Sequence, residues 1–315
     1  MQAMIVLGQM LVLLVMMGIG YFSYKKEVVD QNTAGQLSSL VVNVFNPILV
    51  VNGVLESQQK GGLESILLNL AMVLLYFTVL ILASFPLSKI LRVEKKVFTT
   101  NRLMLIFGNL GFMGIPVLRS IYGDDAMIYV AFYLLVYNIL LYTYGMRLAE
   151  KAGEEFHEKT ESKRNRAANL KRICNPGVFA SLAAVLIFLF PPALPQPVYT
   201  FCDYMGNTTV PLSMILIGIS VARENLGEVF RERRIYGFIL LRMVALPVAL
   251  TLLLKSFVPD SMILGVFAIL MGMPVGSIVS MMIKEKGGAD QYCIKGVVLS
   301  TLFSIVTIPF ICIFL

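Results

Sequence analysis

Residues 108–120 read GNLGFMGIPVLRS, three glycines, an asparagine and a proline inside a run apolar enough to cross a lipid bilayer. In a water-soluble chain these letters make a turn. In a membrane span they make a broken helix, because proline removes a backbone donor and clashes with the preceding turn, while glycine leaves helical geometry at little cost. Which of the two holds depends on the solvent of the surrounding chain.

That solvent is lipid. Of the 315 residues, 57% are hydrophobic and 14% charged, against about 25% charged in soluble domains, so the chain lacks the polar surface to face water. A bilayer core about 30 Å thick takes roughly 20 apolar residues per helix. With that window the chain divides into spans near 3–24, 36–55, 66–88, 102–120, 126–147, 174–190, 198–221, 235–256, 260–283 and 291–315. The expected fold is an all-α polytopic membrane protein of ten transmembrane helices. The first apolar run lacks the basic flank and small-residue cleavage site of a signal peptide and is taken as the first span. The longest loop, within residues 150–173, is too polar to bury a core of its own.

Lys and Arg crowd the loops after spans one, three, five, seven and nine, whereas the opposite side has only Lys60, Arg119 and Lys255. The positive-inside rule makes the crowded side cytoplasmic and both termini extracytoplasmic. The same placement explains the net charge of +7 by orientation and contact with anionic membrane lipids. No stacking aromatic platform or recognition motif accompanies it, so nucleic acid is not an expected partner.

The two halves share a pattern. Asn43-x-x-x-Pro47 in span two answers Asn207-x-x-x-Pro211 in span seven, Pro86 in span three answers Pro247 in span eight, and Met-Gly-Ile-Pro116 in span four answers Met-Gly-Met-Pro274 in span nine. The order is kept and the separation is nearly constant, which marks an internal repeat. Residues 1–149 form the first five-helix repeat and residues 174–315 the second. Five is odd, so the second copy enters from the opposite face, the inverted arrangement of many secondary transporters.

Spans four and nine then run antiparallel and break at mid-membrane, where unsatisfied backbone groups cost several kcal/mol unless protein or a wet cavity surrounds them. Proline favours the first turn of a helix, so one half of each span is expected to start at Pro116 and Pro274 and to aim free N–H groups at the centre. Two such positive ends attract an anion. Candidate substrate-binding residues are Asn109, Gly111 and Pro116 in span four, Asn43 and Asn46 in span two, Asn207 in span seven, and Pro274 and Ser277 in span nine; Thr208 is a further donor. Asn and Ser also bond neighbouring membrane helices, and for Asn46, Asn207, Thr208 and Ser277 both roles stay open. Asn109 and Asn43, beside a break or repeated between halves, are read as binding residues.

No Asp or Glu lies at mid-membrane, the deepest being Asp203, so a carboxylate proton relay is not expected. Arg242, about two turns inside span eight, either neutralises the substrate path or snorkels to the interface, and Lys295 is taken to snorkel. His157 is read as a solvated loop residue. Cys174, Cys202, Cys293 and Cys312 lack metal or redox spacing, and no cofactor is expected. A polytopic enzyme would need a nucleophile, paired carboxylates or metal ligands at depth. The sequence offers no HExxH, no paired aspartates and no Gly-Asp pair inside a span.

The stretches NRLMLIFGNLGFMGIPVLRSIYGDDAMIYVAFYLLVYNIL (101–140), LVVNVFNPILV (40–50) and MGMPVGSIVSMMIKEKGGAD (271–290) resemble the auxin efflux carrier family of membrane transporters. The resemblance implies spans four and nine crossing at their prolines, and a scaffold of spans one, two, six and seven through which homodimers form. It also implies a transport domain from the other six spans. Its members carry organic anions such as auxin, malate or malonate. Asn109, Pro116 and Pro274 take the crossing positions, with Asn43 and Asn46 on the scaffold wall. The short central loop points to a bacterial inner-membrane member. The expected activity is alternating-access transport of a small carboxylate, with a receptor that binds the anion without flux as the second reading.

Overall fold

A computed structural model describes residues 2–56, 62–157 and 176–315. Loop residues 158–173, Cys174 and the His157 side chain lie outside the described residues. Among the described ones the backbone is helix and turn with one isolated β-bridge. Seven helices of the described residues are long and apolar enough to cross a membrane: α1 (its apolar part Leu7–Lys25), α2 (Gln31–Glu56), α3 (Glu64–Ile90), α6 (Asp124–Phe156), α8 (Gln196–Ala222), α10 (Arg233–Leu254) and α13 (Asp290–Ile311). Between them lie shorter apolar helices α5 (Leu110–Tyr122), α7 (Pro176–Leu189) and α11 (Ser261–Met271). Helices α4 (Phe98–Ile106), α9 (Leu226–Arg231) and α12 (Ser277–Glu285) complete the set among the described residues. The chain is thus an all-helical polytopic membrane protein.

Helix ends depart from the hydropathy boundaries where apolar character ends but helical periodicity does not. Helix α6 continues past residue 147 and into the expected loop. Met146, Leu148, Ala149 and Ala152 pack inward there, while Lys151 pairs with Glu155 one turn on, Nζ to Oε1 3.8 Å. Helix α2 starts at Gln31 because Asp30 caps it, its carboxylate accepting from Thr33 N at 2.7 Å.

The prolines at 47, 116 and 247 do not sever their helices. Each follows a π-helical segment by two residues: Val41–Phe45, Leu110–Gly114 and Ile239–Ala245. A wider turn shifts the hydrogen-bond register, so the amide that proline lacks is absorbed by the bulge. Pro86 and Pro211 lie within otherwise regular helix.

Helix α1 packs along α8, and α2 packs on α7 and α8. The α1–α8 approach is backbone on backbone: a methyl group on Gly218 would overlap the Met17 carbonyl, and one on Gly20 that of Ile215. Small residues permit such approach in lipid, where packing rather than water exclusion drives association. Gly218→Ala is therefore expected to cost about 1–3 kcal/mol through overpacking and to lower the melting temperature in detergent. Gly18→Ala, in α1 with open space around it, should not.

Candidate functional site

The break in GNLGFMGIP falls at Phe107–Asn109, ahead of the proline. Helix α4 ends at Ile106, and Phe107 and Asn109 leave helical geometry, with φ, ψ of −104°, 91° and −85°, 65°. The second break, between Met271 and Ser277, contains Pro274. The two meet as an antiparallel bridge between Gly108 and Val275. Asn109 N donates to Pro274 O at 2.7 Å and Gly276 N to Phe107 O at 3.0 Å. Val275 N donates to Ser300 Oγ of α13 at 3.1 Å. Backbone groups freed by the breaks thus satisfy one another, as burial demands.

Four helix ends converge on this bridge: the C-termini of α4 and α11 and the N-termini of α5 and α12. The expectation that helices start at Pro116 and Pro274 is corrected here. Asn109 is the N-cap of the first, its Oδ1 accepting from Phe112 N at 3.2 Å, and Gly276 is the N-cap of the second. Pro116 sits later in α5, beyond the bulge, and Pro274 lies in the extended link. An asparagine cap and a glycine in extended geometry start these helices earlier and later, respectively, than the prolines suggested.

Both N-termini open on one cavity of about 120 Å³. Asn109, Gly111 and Phe112 of the first end and Gly276, Ser277 and Ile278 of the second line it, facing Asn43, Asn46 and Pro47 of α2. The first amides of a helix have no intrahelical acceptors, so each end presents donors. Two polar atoms sharpen the site: Asn109 Nδ2 and Asn46 Oδ1 are buried with no hydrogen-bond partner among the described residues. Asn46 Nδ2 lies near Gly111, about where a methyl group on that glycine would make ordinary contact.

Of the residues singled out in the sequence, the cavity brings together Asn43, Asn46, Asn109, Gly111 and Ser277, and leaves out Pro116, Pro274 and Asn207. Asn43 also donates from Nδ2 to Ser39 O at 2.9 Å. Asn207 belongs to a polar chain at the far end of α5. Its Oδ1 accepts from Arg119 Nη1 at 2.7 Å and its Nδ2 donates to Asp203 Oδ1 at 2.6 Å, while Arg119 Nε pairs with Asp124 Oδ1 at 2.6 Å. Thr208 bonds its own helix at Tyr204 O, 2.7 Å. Tyr137, Asn138 and Tyr142 of α6 and Ser181 of α7 also line the cavity, and hydropathy and motif spacing do not single them out. Asn138, a polar residue in an otherwise apolar run, is the one that carries a signal in the sequence.

Arg242 does not snorkel. It is 1% exposed, with Nε donating to Leu105 O at 2.7 Å and Nη1 to Met271 O. It lies about as deep as the bridge, where two carbonyl-rich helix ends hold the guanidinium more strongly than the interface would. Cys202, Cys293 and Cys312 are buried free thiols.

A family model described as membrane transport protein matches residues 5–312. The chain belongs to the auxin efflux carrier family of membrane transport proteins. No curated protein sequence matches it. As a member of a transporter family, this auxin efflux carrier relative is a membrane transporter.

Proposed function

We propose that this carrier moves small organic anions, carboxylates such as malonate or malate, by alternating access, and that the anion binds in the cavity between the N-termini of α5 and α12. The observation that carries the reading is Asn109. Its Oδ1 is occupied by the helix cap, so Nδ2, buried without a partner in a residue that lines the cavity, is the donor left over for a solute that accepts hydrogen bonds. Two helix N-termini beside it add a positive potential of ~0.5 charge each. A cavity of about 120 Å³ has room for roughly four water-sized groups at about 30 Å³ each, which suits a short carboxylate better than an indole acid.

Joining α4 to α5 and α11 to α12 across their breaks, and counting α7, gives ten spans in two inverted repeats, with α1, α2, α7 and α8 as scaffold and dimer surface. The termini then face outward from a bacterial inner membrane. The cavity lies toward Tyr142 and Gly177, on the side of the Lys/Arg-rich loops, while the Arg119–Asn207–Asp203 chain spans the opposite side. The arrangement fits a carrier open to the cytoplasm, with the scaffold and transport domain latched outside.

The test is binding to purified carrier in detergent, read as a shift in melting temperature with malonate, malate and the neutral malonamide. Saturable stabilisation by the acids and none by the amide is expected; equal response to the amide overturns the anion assignment. Asn46→Ala, which removes the amide donor Nδ2 beside Gly111, should raise the half-saturating concentration about tenfold, the effect of one hydrogen bond to a charged group, with the ligand-free melting temperature unchanged.

A further inference from the structure

The N-terminal ends of the crossing explain an anion site, but the C-terminal ends pose the opposite problem. Helices α4 and α11 end at the bridge, each bringing a partial negative charge of ~0.5 and carbonyls without intrahelical donors. In secondary carriers with discontinuous helices, such carbonyl ends commonly coordinate the coupling cation. Here the place is taken by the chain itself. Arg242 of α10 donates from Nε to Leu105 O at 2.7 Å, in the last turn of α4, and from Nη1 to Met271 O, the last residue of α11. Beside the guanidinium stands Tyr76 of α3, whose hydroxyl donates to Leu270 O at 3.3 Å. The partners of this buried arginine are backbone carbonyls and a phenol, and the two helix ends together supply about one negative charge to set against it.

We infer that Arg242 is a resident cation occupying the position where a coupling ion would bind, so that this carrier holds its crossing together without sodium and moves its anion independently of a sodium gradient. Guanidinium stays protonated at any pH a protein meets, so the charge is permanent, unlike that of a dissociable ion. With both C-terminal ends neutralised, the N-terminal ends act on the cavity unopposed, and the anion needs no cation to accompany it. The inference rests on the reading of the cavity as an anion site only for its transport consequence; the occupancy of the carbonyl ends stands apart from it.

The experiment therefore measures sodium directly. Purified carrier in detergent is titrated with radioactive sodium in a choline background, and its melting temperature is recorded in sodium, potassium and choline chloride. The wild type is expected to bind no sodium saturably and to melt alike in all three salts. Saturable sodium binding by the wild type overturns the proposal, whatever the carrier transports. Arg242→Ala empties the position: it should melt lower than wild type and recover on adding millimolar guanidinium, with methylammonium recovering less because it lacks the fork that reaches two carbonyls. Absence of preferential guanidinium rescue in a folded Arg242→Ala protein would also overturn it. If that variant does not fold, Arg242→Lys, which keeps the charge but reaches one carbonyl at a time, is expected to fold with a reduced melting temperature; a wild-type melting temperature for Arg242→Lys would contradict the two-carbonyl assignment. In proteoliposomes, malonate uptake by the wild type should be the same with and without a sodium gradient. No uptake under either condition would count against the anion reading while leaving the sodium-binding result to decide this one.

Discussion

Asn109→Asp should abolish saturable anion transport in a carrier that still folds. The substitution keeps a side-chain oxygen where Oδ1 accepts from Phe112 N, so the cap of α5 survives. What changes is the other half of the group: the buried donor Nδ2 becomes a second acceptor bearing charge, next to the place an anion must occupy. Losing one hydrogen bond to a charged group costs about 1.5–3 kcal/mol, and two like charges about 4 Å apart repel by ~4 kcal/mol at an intermediate dielectric. Either suffices for a loss of about tenfold, and together they should lower transport efficiency by about 100-fold or more with little change in melting temperature. Asn109→Ala removes donor and cap together and should cost about 1 kcal/mol of stability as well. If Asn109→Asp transported normally while Asn109→Ala did not, Asn109 would be a helix cap and nothing more.

The second large effect is expected at the bridge. A methyl group on Gly276 would lie 2.9 Å from Gly108 O and 3.2 Å from the Tyr137 hydroxyl, against a backbone already committed to the Gly276 N to Phe107 O bond. Gly276→Ala must push the two breaks apart. Overpacking of this kind costs about 1–3 kcal/mol, and because the displaced atoms carry the cavity wall, turnover should fall by about tenfold or more along with stability. Gly108→Ala meets nothing nearer than Leu110 Cδ1 at 3.3 Å, the end of a flexible side chain, and should be milder in both. Counterflow rates and melting temperatures of the two variants check this order, and a reversed order would contradict the bridge geometry.

Membrane solvation and the existence of a break in GNLGFMGIP are legible in composition and in Gly-Pro chemistry, because hydrocarbon tolerates few alternatives. The position of the break is not. Proline draws attention to 116, yet the chain leaves the helix at Phe107–Asn109, where its backbone pairs with Pro274 and Gly276 far away in sequence, and meets proline only after a π-bulge. Asn109, Asn46, Asn43, Gly111 and Ser277 stand out because polar or small residues in apolar runs are few. Asn138 escapes for want of a second signal. Asn207, chosen for its repeat with Asn43, bonds Arg119 instead, since repeat position says nothing about which charged side chain lies opposite. Arg242 is visible as a charge inside a span, but only the convergence of α4 and α11 reveals carbonyls enough to keep it there.

The central claim is that this cavity carries a small organic anion across the membrane, and counterflow tests it most directly. Proteoliposomes preloaded with unlabelled malonate are given labelled malonate outside, for wild type and for Asn109→Asp, so that exchange is read without assuming any coupling ion. The wild type is expected to accumulate label transiently, with competition by malate and none by malonamide, and Asn109→Asp to accumulate none. Malonate and malate that stabilise the wild type in detergent yet yield no counterflow would contradict the claim and leave a receptor on a carrier fold.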